Sequence, residues 1–171
     1  MKKFIIALLV AVGCAAGAQA QKFALVDMEY ILRNIPAYEM ANDELNQLSS
    51  KWQKEIEKKQ SEAQQMYENY QAEAVYLTLD QRREREDQIA AVEKSAAEMR
   101  YSYFGPEGAL YQKRVALVEP IQNEIYEAIK KLADEKGYQA IIDRASATEI
   151  IFASPRIDVS NDVLARLGYS K

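Results

Sequence analysis

The feature that most constrains this chain is a stretch, residues 37–136, in which charged and apolar residues recur at helical spacing. Its first part carries one apolar stripe, formed by Ala41, Leu45, Leu48, Trp52, Ile56, Ala63, Met66, Tyr70, Ala74 and Leu77. Its second part carries two more regular runs: Ile89, Val92, Ala96, Met99 and Tyr103, then Val118, Ile121, Ile125, Ala128 and Leu132. Steps of three and four place these side chains on one helix face and are typical of a coiled-coil seam. The pattern predicts two long antiparallel helices that bury each other's stripes.

The stretch has one predicted reversal and one predicted interruption. The reversal is expected at residues 76–81, where Thr78 with Gln81 three residues on has the form of a capping box, and Asp80 is an alternative cap. The interruption is the Phe-Gly-Pro-Glu-Gly run at 104–108. Proline removes a backbone donor and clashes with the previous turn, and glycine disfavours helix. This break is interpreted either as a hinge or as a fixed kink.

Composition argues against catalysis and against nucleic-acid binding. The 171 residues include no histidine, which removes the commonest general acid/base and the commonest metal ligand. The sequence has no Gly-rich phosphate loop, nucleophile elbow or metal-ligand spacing. The formal charge is −4, so no bulk attraction to nucleic acid is expected. We therefore expect a protein that is not an enzyme and carries no cofactor or metal.

The first twenty residues are typical of an export signal. Lys2 and Lys3 precede an apolar run at 4–12, and Ala18-Gln19-Ala20 forms a small-x-small cleavage site. Cleavage there would leave residues 21–171 and, by loss of Lys2 and Lys3, would take the formal charge from −4 to −6. We therefore expect an exported protein.

Cys14 leaves an alternative open. It follows a short apolar and small run that partly matches a lipoprotein signal, which would give a lipid-anchored form. Cleavage after Ala20 would instead leave no cysteine in the exported chain, which suits an oxidising compartment. We favour the second interpretation.

Residues 21–36 and 137–171 are predicted to form a β-rich oligomerisation body. The pattern predicts a strand at 23–27, a short helix at 28–34, a β-hairpin with strands at 138–143 and 149–153, and a last helix at 161–167. Asp27 is interpreted as a helix N-cap, with an acid or metal ligand as the alternative. So small a sheet leaves open edges and apolar faces, which predicts a homo-oligomer. The body residues are Phe23, Leu25, Val26, Ile141, Ile142, Ile150 and Phe152.

The end blocks at 22–28, 137–143 and 157–164, on either side of a long helical stretch, resemble those of the Skp/OmpH family of periplasmic chaperones. The resemblance covers the whole exported chain. It implies an α+β, mainly α fold, with a small β-sheet body built from the terminal segments and a long antiparallel helical hairpin arm at 37–136. It also implies a jellyfish-like homotrimer that holds unfolded outer-membrane proteins without ATP. Well-known members are strongly basic, whereas this chain is acidic, which argues against binding to membrane lipid.

Within the arm, Met and Tyr side chains suit weak, adaptable contacts with unfolded clients. The candidate client-binding residues are Met66, Tyr67, Tyr70, Tyr76, Met99, Tyr101 and Tyr103. The alternative for each is a place in the seam between the two helices. An alternative function for the whole chain is a structural coiled-coil spacer or adaptor that bridges envelope layers.

Overall fold

A computed structural model describes residues 22–147 and 149–169. The predicted signal peptide and Cys14 lie outside these residues. The elements, in chain order, are β1 (Phe23–Val26), α1 (Met28–Arg33), α2 (Pro36–Glu73), a 3₁₀ turn (Ala74–Tyr76), α3 (Leu79–Phe104), α4 (Ala109–Lys136), β2 (Ala140–Asp143), a second 3₁₀ turn (Pro155–Ile157) and α5 (Ser160–Arg166). The predicted α+β class with a helical majority is confirmed.

The chain divides into two compact units. We call Ile35–Asn123 the helical unit, and the two chain ends, up to Asn34 and from Glu124, the end unit. The division falls inside α4, so the buried Ile125, Ala128 and Leu132 belong to the end unit.

The sheet of the end unit is built around β1. β1 pairs in parallel with β2, in a register that places Phe23 opposite Ala140 and Val26 opposite Asp143. On the other edge of β1, Leu25 forms a parallel bridge with Asp158, and Val159 N donates to Leu25 O at 2.9 Å. Both edges of β1 are therefore occupied.

The predicted β-hairpin is wrong. β2 pairs with β1 and not with a following strand, and residues 149–153 form turn and coil. Both edges of β1 are taken, and the side chains of Ile151 and Phe152 are 102% and 85% exposed. The apolar pattern of the segment was recognised, but β2 forms its ladder with β1, and in the described part of the chain residues 149–153 pair with neither strand.

Local capping signals position the helices of the end unit. Asp27 caps α1, because its Oδ1 accepts a hydrogen bond from Tyr30 N at 2.8 Å, so the N-cap interpretation is confirmed. Gly137 follows α4 at φ +71° and Gly168 follows α5 at φ +87°, the left-handed conformation that glycine adopts at helix ends. The helices and β1 enclose a core that includes Ala24, Leu25, Val26, Ile31, Val163 and Leu164.

A polar cluster joins the ends of both strands to the start of α5. Arg144 contacts Asp27 Oδ2 at 3.1 Å and Asp158 Oδ2 at 3.3 Å. Asp27 N donates to Ser160 Oγ at 2.8 Å, and Met28 N donates to Asp143 Oδ1 at 3.1 Å. Partial burial by itself would raise the pKa of Asp143, but hydrogen bonds from Met28 N, Ser146 and Ala145 N outweigh it and hold the pKa below its ordinary value of 3.8.

The helical unit is organised by the predicted seam. Every residue of the three predicted runs is buried or half-buried. Arg85 lies 4.0 Å from Glu73, Tyr70 Oη donates to Glu86, and Tyr103 Oη donates to Glu55 at 2.9 Å. In these three pairs, a later residue of α3 contacts an earlier residue of α2, so the two helices run in opposite directions.

The reversal lies where the sequence predicts it. α2 passes into the 3₁₀ turn, and α3 begins after Thr78. Thr78 N donates to Gln81 Oε1 at 2.9 Å and Gln81 N donates to Thr78 Oγ1 at 3.4 Å, which completes the capping box. Asp80 lies in the first turn instead of capping it.

The break between α3 and α4 is a compact, hydrogen-bonded turn. Gly105 N donates to Tyr101 O at 2.8 Å, and Gly108 N donates to Gly105 O at 2.9 Å. A Cβ on Gly108 would lie 2.8 Å from Tyr103 O and 2.9 Å from Ser102 O, so the turn has no room for a side chain there. Pro120, by contrast, lies within α4 without ending it.

Gly108→Ala should destabilise the helical unit by about 1–3 kcal/mol, because the added methyl group forces the backbone of α3 to move. Urea unfolding followed by circular dichroism at equal protein concentration measures this. Ser102→Ala, on the exposed surface of the same turn, should change stability by less than about 0.5 kcal/mol. Equal unfolding midpoints for Gly108→Ala and the unchanged protein would contradict a tightly packed break.

Asp143→Asn should flatten the acid limb of the stability curve. Because folding lowers the pKa of Asp143 from its ordinary value of 3.8, the folded chain binds fewer protons than the unfolded chain, so this stabilisation is present above the ordinary pKa and is lost as pH falls through the lower pKa of the folded state. Asn keeps an acceptor oxygen but does not titrate. Urea midpoints across this pH range should fall less steeply for Asp143→Asn than for the matched surface variant Asp134→Asn. Parallel curves would show that Asp143 is not linked to folding.

Candidate functional site

The candidate residues of the helical unit separate by exposure. Tyr67, Tyr76 and Tyr101 are 44%, 88% and 73% exposed. Met66 and Met99 are half-buried within the seam. The exposed tyrosines are therefore available to another molecule, whereas the methionines contribute mainly to the contact between α2 and α3.

Tyr103 and Tyr70 are held by contacts within the unit. Tyr103 stacks on Trp52 with ring centroids 4.8 Å apart and planes 9° from parallel, and Phe104 packs edge-on against both rings. The hydrogen bond to the Glu55 carboxylate raises the pKa of Tyr103, because the bond stabilises the neutral phenol. The hydrogen bond to Glu86 raises the pKa of Tyr70 in the same way. These two tyrosines fasten the seam.

Sequence reasoning missed a group of exposed apolar residues at the reversal. Val75 and Leu79 are 81% and 74% exposed and flank Tyr76. The sequence does indicate their exposure, because Val75 and Leu79 are apolar residues that do not belong to the predicted apolar stripe. Tyr111 and Val115, which share a face of α4 four positions apart, are likewise 54% and 37% exposed.

A groove of about 690 Å³ opens in the helical unit between α2 and α3. Its floor is formed by the small side chains of Ala63, Ala96 and Ala97, and aromatic walls are provided by Tyr101 and Phe104. It is the place where the seam is least filled by large side chains. Tyr101 is the one predicted candidate residue that lines this groove.

The predicted body residues also separate by exposure. Phe23, Ile142 and Phe152 are 49%, 43% and 85% exposed, and Ile151, which sequence reasoning omitted, is fully exposed. Ile141 and Ile150 are half-buried. Leu25 and Val26, at 5% and 2%, belong to the core of their own unit. The residues of this set that can contact another chain are therefore mainly Phe23, Ile142 and Phe152, together with Ile151.

Across residues 22–147 and 149–169, each helix is either too short or too polar to cross a bilayer. In the same part of the chain, no group of three or more Asp and Glu side chains is arranged to hold a metal ion. In the polar cluster around Arg144, each aspartate accepts hydrogen bonds or pairs with the guanidinium.

Comparisons with known proteins agree with this architecture. The chaperone protein Skp of Yersinia enterocolitica is 26% identical over 173 aligned residues, which cover 98% of this chain and 99% of the relative. The crystal structure of an OmpH-like protein from Caulobacter crescentus CB15 superposes with a TM-score of 0.69 at 10% identity and covers 88% of this chain and 86% of that one. At that identity the superposition is evidence of a shared fold.

The family model described as "Outer membrane protein (OmpH-like)" matches residues 22–167, from β1 to the end of α5. The match extends over nearly all of the described chain, and the predicted resemblance is confirmed. The protein belongs to the OmpH-like family.

Proposed function

We propose that this protein is an ATP-independent holdase chaperone of the periplasm, which binds unfolded outer-membrane proteins and prevents their aggregation. The observation that carries the proposal is the set of apolar side chains that stay exposed on a helical unit whose predicted apolar stripes are already buried or half-buried. Val75, Tyr76, Leu79 and Tyr101 are all more than 70% exposed. An apolar surface distributed in this way suits many weak contacts.

The chemistry of these side chains fits an unfolded client. A tyrosine ring offers an apolar face and a polar tip, so it can contact either the side chains or the backbone of an extended polypeptide. Single exposed rings bind weakly, so affinity must come from several contacts together. The name of the Yersinia enterocolitica relative, a chaperone protein, supports the same function.

The proposal includes a homotrimer. Residues 21–36 and 137–171 of three chains would form a shared β-rich body, and residues 37–136 of each would form a helical hairpin arm beside a common cavity. Support comes from the side chains of Ile151 and Phe152, which are almost fully exposed in one chain, and from Phe23 and Ile142, which are about half exposed. Residues 149–153 would gain strand partners from a neighbouring copy.

Replacing Tyr67, Tyr76 and Tyr101 together by serine should weaken the holding activity. The triple variant should need about fivefold more protein than the unchanged chain to suppress aggregation, since each ring contributes only modest apolar burial. Light scattering after dilution of a denatured outer-membrane β-barrel protein measures the effect. The unchanged protein should suppress aggregation at stoichiometric amounts.

Tyr126→Ser is the matched control, because Tyr126 is 63% exposed but lies in the end unit. It should suppress aggregation like the unchanged protein. Failure of the unchanged protein at excess would overturn the holdase proposal. Recovery of one folded partner from envelope extracts, with no effect on aggregation, would favour the spacer or adaptor function.

Ile151→Ser with Phe152→Ser should reduce the mass of the assembly. The two side chains are exposed in one chain, so their replacement should spare the fold of the end unit but remove apolar contact between copies. Multi-angle light scattering should give three copies for the unchanged protein and fewer for the variant at micromolar concentration. Val75→Ser, equally exposed in the helical unit, should leave the mass unchanged, and a monomeric unchanged protein would contradict the trimer.

A further inference from the structure

Three alanines line the groove between α2 and α3. Ala63 and Ala96 are buried at 4% exposure, and Ala97 is exposed beside them. Elsewhere the seam is filled by large residues such as Ile56 and Ile89, at 0% and 7%. The groove that these alanines line, together with larger side chains, has a volume of about 690 Å³, within the range of ligand sites.

One wall of the groove is fixed and the other is adaptable. Phe104 is held edge-on by Trp52 and Tyr103, with ring centroids 6.4 and 6.5 Å away. Tyr101 is 73% exposed and is free to close over a bound group. Aromatic walls over an alanine floor favour a flat or bulky apolar side chain.

The rim of the groove is polar and electrically balanced. Gln60 and Gln64 carry amides that can both donate and accept hydrogen bonds; Gln64 already donates one N–H to Glu68 Oε1 at 2.8 Å, which leaves its carbonyl oxygen and second N–H for a ligand. Glu93 and Arg100 also line it and make no salt bridge within residues 22–147 and 149–169. They stand seven positions apart, roughly 10 Å along α3, or about three residues of extended chain.

This rim selects among occupants. A charged lipid headgroup would be matched by a rim of one sign, whereas here Glu93 and Arg100 cancel. An extended polypeptide offers unpaired N–H and C=O groups in equal number, which the glutamine amides can satisfy. The combination of balanced rim, alanine floor and aromatic walls matches an unfolded chain that presents one large apolar side chain.

We propose that this groove is a peptide-binding subsite. An extended segment of an unfolded polypeptide lies along the groove, with one aromatic or large aliphatic side chain seated on Ala63, Ala96 and Ala97 between Tyr101 and Phe104. Gln60 and Gln64 bind the backbone of that segment. The inference rests on the proposed holdase function and names a place on the helical unit where a client residue is held.

Ala97→Phe tests the subsite, because the new ring fills the groove from an exposed position and should spare the fold. The probe is a fluorescein-labelled, end-blocked peptide in which tyrosine alternates with threonine, and binding to the full exported chain is followed by anisotropy. Ala97→Phe should weaken binding about tenfold, a change typical of losing one buried aromatic contact. The same peptide with serine in place of tyrosine should bind the unchanged protein about as weakly as the tyrosine peptide binds the variant.

Ala90→Phe is the matched control. Ala90 is exposed on the same face of α3, two turns from Ala97, and does not line the groove. It should leave the affinity for the tyrosine peptide unchanged. Circular dichroism should show the same helix content for both variants.

The outcomes separate the subsite from the proposed function. Equal peptide affinity of Ala97→Phe and Ala90→Phe would overturn the subsite, even if the unchanged protein suppresses aggregation of a denatured β-barrel protein. If Ala97→Phe, but not Ala90→Phe, lost binding to phosphatidylglycerol vesicles, the groove would be a lipid site and the peptide subsite would be overturned. If Ala97→Phe alone changed the mass of the assembly, the groove would instead be a contact with a second copy of the chain. Tenfold weaker peptide binding without any suppression of aggregation by the unchanged protein would support the subsite and overturn the holdase.

Discussion

The parallel pairing of β1 with β2 is the constraint on which the rest of the structure depends. Phe23 pairs with Ala140, so these hydrogen bonds join positions 117 residues apart. Parallel strands require a long crossover connection, and here that connection consists of α1, α2, α3 and α4. The bridge from Leu25 to Asp158 and the contacts of Arg144 with Asp27 and Asp158 then fasten the chain's last helix to the same strand. Because these contacts are non-local, β1 stays unpaired until most of the chain has been made.

Much of the fold could be predicted because its signals are local. The steps of three and four gave the helical runs, and Thr78 with Gln81, Asp27 and Gly137 marked helix ends through bonds or backbone angles that involve only near neighbours. The strand predicted at 149–153 is absent, and this could not be read from the sequence because strand pairing depends on partners far away in the chain. The pairing that forms instead, of β2 with β1 and of Leu25 with Asp158, is non-local, and no local pattern reveals it.

The sequence predicted which residue types form the candidate site, but it did not predict how those residues are arranged. Tyr67, Tyr70, Tyr101 and Tyr103 look alike in sequence, yet Tyr70 and Tyr103 are tied to carboxylates across the seam while Tyr67 and Tyr101 are open. Helical spacing assigns a residue to a face, but it does not say which carboxylate or indole lies opposite. The groove was missed for a related reason: alanine at Ala63 and Ala96 fits a seam as well as isoleucine does, and only the distance between the helices shows that space remains.

The division of the aromatic residues has a physical logic. Trp52, Tyr103 and Phe104 form a cluster beside the break that orders both helices without exposing much apolar surface. Val75, Tyr76 and Leu79 are instead left in water at the reversal, at a hydration cost that folding alone does not recover. One set contributes to stability, and the other is available for association.

The turn at Gly105–Gly108 also changes the helical phase. Tyr103 and Val118 bracket it in the two seams and stand fifteen positions apart, whereas an uninterrupted coiled coil would require fourteen. The extra residue lies in the turn, so the heptad register of the run that ends at Tyr103 does not fix the register of the run that begins at Val118. The length of the paired segment of α2 and α3 can therefore change without altering the register of α4. Whole heptads added in matching positions on both helices would lengthen it and leave the packing of Val118 and Ile121 as it is.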